Sequence, residues 1–176
     1  MTATMPALLR VEASNLGAAG SPLRQPSGPV TVIDAGIREI VGELRRLLAS
    51  IPHGHGVAAV QIGVPLQLAI VNASRTPAGE IILINPRVLS LSGRMVSRRE
   101  GCLSLPDHAA PVRRRNAIAV ETLTLDGDLA TVKRTGFEAT VIQHELDHMA
   151  GLCYWDRLEP GAVPTVIERT RTFPGE

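Results

Sequence analysis

Aromatic residues are scarce in this sequence, which has one Trp, one Tyr and two Phe among its 176 residues. The core must therefore be built from Val, Leu, Ile and Ala, and few rings remain for stacking on bases or sugars. A charge excess is lacking as well, because 18 basic and 17 acidic residues leave a formal net charge of +1. The composition therefore gives no reason to expect sequence-specific nucleic acid binding or an anionic membrane as a partner.

Cysteines and long apolar runs are also few. The two cysteines, Cys102 and Cys153, would form one disulfide at most, and the first residues lack a charged-then-apolar secretory pattern. No apolar run approaches the roughly 20 residues that a membrane-spanning helix needs. We therefore expect a cytoplasmic protein in a reducing compartment, where a cysteine more often ligates a metal, catalyses or packs than forms a bridge.

Periodic apolar patterns predict an early helix, several strands and a late helix. Asp34 is a plausible N-cap for the early helix, Asp126-Gly127 suits a hairpin turn, and Gly151 ends the late helix. This order of elements is typical of an α+β domain. The predicted elements are a helix over 34–51, a glycine-rich loop over 53–65, strands over 66–74 and 80–93, a hairpin over 117–134 and a helix over 137–152.

The late helix carries the segment QHELDH at residues 143–148. Residues four apart on an α-helix lie one turn above each other, so His144 and His148 present their imidazoles to one side. Glu145 is one residue round the helix, where its carboxylate can reach the open side of a bound metal without being a ligand. This is the H-E-x-x-H arrangement of two nitrogen ligands and a general base. A surface helix with two incidental histidines is the alternative interpretation.

A catalytic metal site needs a third protein ligand and one open position. No histidine follows His148, although Asp156 and Glu159 offer carboxylates. Upstream, Cys102 lies in the segment EGCLSLP, and its thiolate would complete a Cys-His-His set beside the helix. Alone, Cys102 would be interpreted as a packing residue; together with the two histidines we expect it to be a ligand.

Three segments in order resemble the peptide deformylase family: GHGVAAVQIG at 54–63, EGCLSLP at 100–106 and QHELDH at 143–148. The resemblance extends over most of the chain except its ends. It implies an α+β fold in which antiparallel or mixed β-sheets surround a central metal-binding helix.

The length of the chain suggests one domain, and the resemblance implies that residues 1–176 form a single catalytic domain. Weak patterning predicts that about residues 1–20 and 160–176 are loosely held. Members of the family are metal-dependent amidohydrolases that remove the N-formyl group from formyl-methionyl peptides of nascent proteins and release formate. The implied cofactor is Fe(II), and a Cys-His-His site would also accept Zn(II), Ni(II) or Co(II). The implied partners are an N-formyl peptide and the ribosome exit region.

Individual residues fit this chemistry. Glu145 would take a proton from water and pass it to the leaving amine. The side-chain amide of Gln61 and the backbone N–H of Leu103 are candidate donors to the oxyanion. Without the other motifs, Gln61 would be interpreted as a turn residue that points to solvent. The resemblance implies metal ligation by Cys102, His144 and His148, and substrate contacts from Gly56, Val57, His55, Gly101 and Ile142.

Departures from the family pattern lie where the substrate should sit. Val57 stands where leucine is usual and Val60 where proline or threonine is common, and two further departures bear more directly on the substrate. The family usually has an aliphatic residue in place of His55, and many members have an arginine in place of Ala109. Arg113, Arg114 and Arg115 follow closely and are candidates to replace that arginine. One interpretation is drift at tolerant positions, and the other is a deformylase-like paralogue that hydrolyses a different N-formyl small molecule.

Two further functional classes remain open. A binding protein descended from the enzyme would not need the non-ligand Glu145, which this sequence has. A generic zinc protease would usually carry its third ligand after the metal helix, whereas the candidate here is Cys102.

Two carboxylates near the motifs are candidates for supporting roles. We expect Glu100 to anchor the Cys102 segment through an ion pair with an arginine. Asp147 would either orient a ligand histidine or face water.

Overall fold

The computed structural model describes residues 6–9 and 21–166. These residues form an α+β fold, as predicted, with two α-helices and one sheet. The elements are α1 (Ala35–Ser50), β1 (Gly56–Ala58), β2 (Leu68–Val71), β3 (Ile81–Cys102), β4 (Leu105–Leu123), β5 (Leu129–Thr135), α2 (Gly136–Met149) and β6 (Thr165–Val166).

The strands pair in the order β1-β2-β3-β4-β5, with β6 added to β4, and every pair is antiparallel. β3 and β4 form a long hairpin whose innermost pair is Cys102 with Leu105. Four register shifts interrupt this hairpin, and such bulges bend and twist the strands. The hairpin therefore delivers Cys102 to a tight turn at one end of the sheet.

The two helices pack on opposite faces of the sheet. Side chains alternate along a strand, so Leu68 and Ile70 join the core cluster of α1, whereas Ala69 and Val71 join the core cluster of α2. Both faces of β2 are consequently buried. The Asp34 carboxylate accepts a hydrogen bond from the Ile37 N–H at 3.1 Å and caps α1, as predicted.

Helix α2 is buried on nearly all sides. Ten of its 14 residues are buried, and six of these are polar or ionisable: Thr140, Gln143, His144, Glu145, Asp147 and His148. Burying such groups is costly unless they are hydrogen-bonded, paired or bound to a metal. The position of α2 therefore requires partners for these side chains.

The structure corrects two predicted elements. The segment 53–65, predicted as a loop, contains β1 and a 3-10 turn at Ala59–Ile62, because pairing with β2 overrides the weak strand signal of a glycine-rich segment. The strand predicted over 80–93 continues to Cys102, through a polar and arginine-rich stretch that lacks apolar alternation.

The described residues include only part of each end of the chain that was predicted to be loosely held. Residues 1–5, 10–20 and 167–176 lie outside the described residues, so the predicted loose order there stays a prediction. Within the predicted loose tail, β6 pairs with His108 and Ala109 of β4. In the described part of the chain, no helix combines the length and hydropathy that crossing a membrane requires.

Candidate metal centre

Cys102, His144 and His148 meet at one buried point. Cys102 is the last residue of β3, and the two histidines lie on successive turns of α2. Their ligand atoms all lie within 4.8 Å of one another, and Sγ of Cys102 is 3.2 Å from Nε2 of His148. One thiolate and two imidazoles form a donor set that suits zinc and neighbouring divalent transition metals. Cys102 is a free cysteine, as is Cys153.

The thiol of Cys102 and the imidazoles of His144 and His148 shift one another's pKa values. Burial opposes ionisation of Cys102, but the charges and hydrogen bonds of the two histidines hold its pKa well below the usual value. Burial also acts to lower the pKa of His144, yet hydrogen bonds to Cys102 and Glu100 raise it to about 10. The charge of Cys102 likewise raises the pKa of His148 well above its usual value, against the effect of burial. A divalent cation can therefore take the place of the two imidazolium protons beside a thiolate.

A buried ion-pair network orients His144. Its Nδ1 is 3.1 Å from Oε2 of Glu100, which leaves Nε2 for the ligand cluster. Arg114 donates to Glu100 from Nε at 2.5 Å and from Nη2 at 2.9 Å, and to Asp147 from Nη1 at 2.8 Å. Metal-ligating histidines usually hold their second ring nitrogen against a carboxylate or carbonyl in this way. Glu100 supplies that carboxylate here.

This network decides three of the sequence-based expectations. The ion pair of Glu100 with an arginine is confirmed, and its partner is Arg114. Asp147 neither orients a histidine nor simply faces water, because it accepts hydrogen bonds from Arg114 and from Arg157, the latter at 3.1 Å. Arg114 is itself buried and fully engaged, so the suggestion that it replaces a substrate-binding arginine near Ala109 is wrong.

Glu145 lies beside the ligand cluster with one carboxylate oxygen unoccupied. Its Oε2 is buried and has no hydrogen-bond partner among the described residues. Burial raises the pKa of Glu145 to about 7, although the charges of His144 and His148 oppose this effect. A carboxylate with a pKa near neutrality, next to a metal-binding cluster, has the properties of a general base.

Gly56 of β1 packs directly against this carboxylate. A Cβ atom at position 56 would lie 2.4 Å from Oε1 of Glu145 and 2.8 Å from Cγ1 of Val141. Only glycine therefore allows β1 to come this close to α2.

Gln61 reaches over the thiolate of Cys102. Its Oε1 accepts a hydrogen bond from the Ala58 N–H at 2.9 Å, and its Nε2 donates to Oγ of Ser104 at 3.0 Å. The same Nε2 lies 3.6 Å from Sγ of Cys102. The side chain is buried, so the alternative of a solvent-facing turn residue is wrong. Leu103, in the turn between β3 and β4, lines the same cavity as Gln61.

A cavity of about 190 Å³ opens onto the cluster and contains three of the predicted substrate contacts, His55, Gly56 and Gly101. Ile142 does not line it. Ile142 is completely buried in the core cluster of α2, because it lies two residues before His144 and so on another side of the helix. The geometry therefore contradicts its assignment to the substrate pocket. The side chain of Val57 is likewise in the core, on the α1 side, which leaves only its backbone for a substrate.

Helix geometry could have identified several cavity residues that sequence reasoning missed. Three of them precede His144 on α2 by three, four and seven residues and therefore share its face. The other two lie on β3 and in the segment between α1 and β1, where no nearby sequence pattern indicates that a residue lines the cavity. The missed residues are Val141, Thr140, Phe137, Arg99 and His53.

Comparisons with known proteins agree on one family. The family model for polypeptide deformylase matches residues 15–163. A peptide deformylase from Rhizobium meliloti (strain 1021) is 39% identical over 151 residues, which are 84% of this chain and 85% of that protein. One from Mesorhizobium japonicum is 37% identical over 139 residues, 77% of this chain and 78% of that protein.

Solved structures give the same result. A peptide deformylase from Legionella pneumophila superimposes with a TM-score of 0.79 and 28% identity, covering 89% of this chain and 88% of that one. One from Synechococcus elongatus in complex with actinonin gives a TM-score of 0.77 and 31% identity, covering 89% and 81%. Because the family model spans most of the chain and relatives more than 30% identical are peptide deformylases, the chain belongs to the polypeptide deformylase family and is a metal-dependent hydrolase that removes the N-formyl group from nascent peptides.

Proposed function

We propose that Cys102, His144 and His148 hold one Fe(II) ion and that Glu145 is the general base of deformylation. The observation that carries the proposal is Oε2 of Glu145, a buried oxygen without a hydrogen-bond partner in the described structure, beside three convergent ligand atoms. Zn(II), Ni(II) or Co(II) would suit the same donors. When bound, the metal supplies Lewis acidity, which lowers the pKa of water and polarises the formyl carbonyl.

Glu145 moves the protons of the reaction. With a pKa of about 7, its carboxylate accepts a proton from the attacking water at neutral pH and gives it to the leaving amine nitrogen. Cleavage of the formyl C–N bond then yields formate and a peptide with a free amino group.

Gln61 and Leu103 stabilise the negative charge that develops on the formyl oxygen. The Ala58 N–H holds Oε1 of Gln61, so that its Nε2 is directed toward Ser104 and Cys102. Nε2 exchanges its hydrogen bond to Ser104 for one to the oxyanion, and the Leu103 N–H is the second donor. Donors oriented in advance need little reorganisation during the reaction.

The peptide lies along the free edge of β1. This strand ends the sheet order, so one of its edges has no strand partner among the described residues. An extended peptide can add to such an edge through main-chain hydrogen bonds, for which the backbones of Gly56 and Val57 are placed. Gly101 lines the same cavity, and the methionine side chain packs beside His55.

We also propose that the enzyme acts in the cytoplasm on chains emerging from the ribosome. The family's reaction on nascent peptides supports this setting, and the two free, buried cysteines suit a reducing compartment. Co-sedimentation of the purified protein with ribosomes that carry a formylated nascent chain measures the association directly. Recovery of the protein in the supernatant alone would contradict a ribosome-bound state.

Formate release from formyl-Met-Ala-Ser tests the catalytic proposal. The protein is purified without oxygen and loaded with Fe(II) or Ni(II), and metal content is measured on the same samples. We expect turnover that Glu145→Gln abolishes while one metal per chain is retained. Glu138→Gln is the matched control, because Glu138 lies on the same helix, pairs with Arg134 and does not line the cavity.

The outcomes separate the parts of the proposal. Turnover that persists in Glu145→Gln would refute the role of Glu145. If the wild-type protein binds one metal and shows no turnover, the assignment of formyl-methionyl peptides as the substrate would be refuted.

A further inference from the structure

One wall of the active-site cavity is a short loop between α1 and β1. We name residues 51–55 the wall loop; its members His53, Gly54 and His55 line the cavity. The loop closes on itself through a hydrogen bond from the Gly54 N–H to the carbonyl of Ile51 at 3.0 Å. Any shift of this loop changes the width of the cavity.

A second loop, residues 72–76 between β2 and β3, packs behind the wall loop. The Asn72 N–H donates to the carbonyl of His55 at 2.7 Å. Nη1 of Arg75 donates to the carbonyl of Ile51 at 3.0 Å and to that of Gly54 at 2.5 Å. A single guanidinium therefore ties together both ends of the turn in the wall loop.

The backbone of Arg75 is held in a conformation that non-glycine residues seldom adopt. Its φ is +56°, in the left-handed region. The side chain of Asn72 supports this turn, because its Oδ1 accepts from the Thr76 N–H at 3.2 Å and its Nδ2 donates to the Thr76 carbonyl at 3.0 Å. Such conformations persist where the surroundings fix them, and they cluster at functional sites.

We infer that Arg75 is a positioning residue for the peptide substrate, which it influences by fixing the wall loop. Arg75 does not line the active-site cavity, so it acts through the backbone carbonyls of Ile51 and Gly54. The inference rests on the proposed function, in which this cavity holds the formylated peptide.

Arg75→Met is the informative variant, because methionine keeps much of the side-chain length and loses both hydrogen bonds. We expect KM for formyl-Met-Ala-Ser to rise about 5- to 30-fold, in keeping with the loss of two charge-assisted hydrogen bonds, while kcat stays within about twofold. Arg75→Lys retains one charged donor and should give an intermediate KM. One metal per chain should remain bound in both variants.

Arg45→Met is the matched control. Arg45 lies in the same surface groove as Arg75, but its guanidinium binds Glu80 and makes no hydrogen bond to the wall loop. The KM of the Arg45→Met variant for formyl-Met-Ala-Ser should stay at the wild-type value. Inhibition by acetohydroxamate, a metal-binding compound too small to need the wall loop, should be the same in all four proteins.

The results distinguish this inference from the function on which it rests. If the wild-type protein turns over formyl-Met-Ala-Ser and Arg75→Met has the same KM, only the role of Arg75 is overturned. The role of Arg75 would also be overturned if Arg75→Met loses its metal, unfolds or is inhibited less strongly by acetohydroxamate. Arg75 would then be a general structural residue. A wild-type protein that is loaded with metal and has no turnover would overturn the proposed function itself.

Discussion

Replacing Gly56 with alanine should disable the general base and leave the metal ligands in place. The new Cβ would lie 2.4 Å from Oε1 of Glu145, whereas ordinary contacts begin at 3.4 Å. The difference requires the carboxylate to move by about 1 Å, or β1 to retreat from α2 by a similar distance. Val141 must also give way, because its Cγ1 would be 2.8 Å from the same Cβ.

The expected effect on catalysis is large. A misplacement of about 1 Å in a catalytic group can reduce the rate about 100-fold, which corresponds to about 2.7 kcal/mol of activation free energy. Overpacking of this kind also costs about 1–3 kcal/mol of stability. Metal affinity should change little, since the nearest atoms to the added Cβ belong to Glu145 and Val141.

Initial rates of formate release at saturating formyl-Met-Ala-Ser, with metal content measured on the same samples, test this reasoning. Gly42→Ala is the control, because it lies within α1 and its Cβ would meet nothing closer than 3.5 Å. That change should leave kcat unaltered and stabilise the helix by up to about 1 kcal/mol. A wild-type kcat in metal-loaded Gly56→Ala would refute the argument, as would a loss of metal in proportion to activity.

Three further predictions concern the metal centre and the end of α2. Replacing Glu100 with Gln should weaken metal affinity about 10- to 100-fold, because Nδ1 of His144 loses its carboxylate partner; competition with a chromophoric chelator measures this. Zn(II) binding to the metal-free protein at pH 7 should release about two protons, because the pKa of His144 is about 10 and that of His148 is also raised, whereas the lowered pKa of Cys102 makes it a thiolate already. Affinity should therefore fall as the pH falls, and an indicator dye that detects no proton release would contradict this. Gly151→Ala should lower the free energy of unfolding by about 1–3 kcal/mol in urea titrations, because φ is +73° and the Cβ would lie 2.7 Å from the Arg24 carbonyl oxygen; an unchanged midpoint would contradict it.

The parts of the site that depend on local geometry could be predicted from the sequence. His144, Glu145 and His148 lie on one helix, so their spacing alone fixes their relative positions. The N-cap at Asp34 and the hairpin turn at Gly127, where φ is +89°, were similarly local. In contrast, Cys102 could be assigned only through its motif, because its distance from α2 depends on the pairing of β3 with β4.

The remaining features depend on contacts between residues far apart in the sequence. Arg114 joins Glu100 and Asp147, which are 14 and 33 residues away, and nothing in the local pattern distinguishes it from Arg113 or Arg115. Only the register of the long hairpin and the position of α2 show that Arg114 points inward while its two neighbours are exposed. Sequence reasoning therefore identified an arginine cluster and could not assign its members.

His55, where the family usually has an aliphatic residue, presents an uncharged aromatic surface to the cavity. Burial lowers the pKa of His55, and the charge of Arg75 adds to this effect, so the imidazole is neutral at pH 7. Its ring packs edge-to-face against Phe137, with the two centroids 4.9 Å apart. A methionine thioether packs favourably beside aromatic rings, whereas covering a charged ring with an apolar side chain would cost the desolvation of that charge. The histidine thus replaces an aliphatic wall with an aromatic one that still suits methionine, and it gives no support to a different, polar N-formyl substrate.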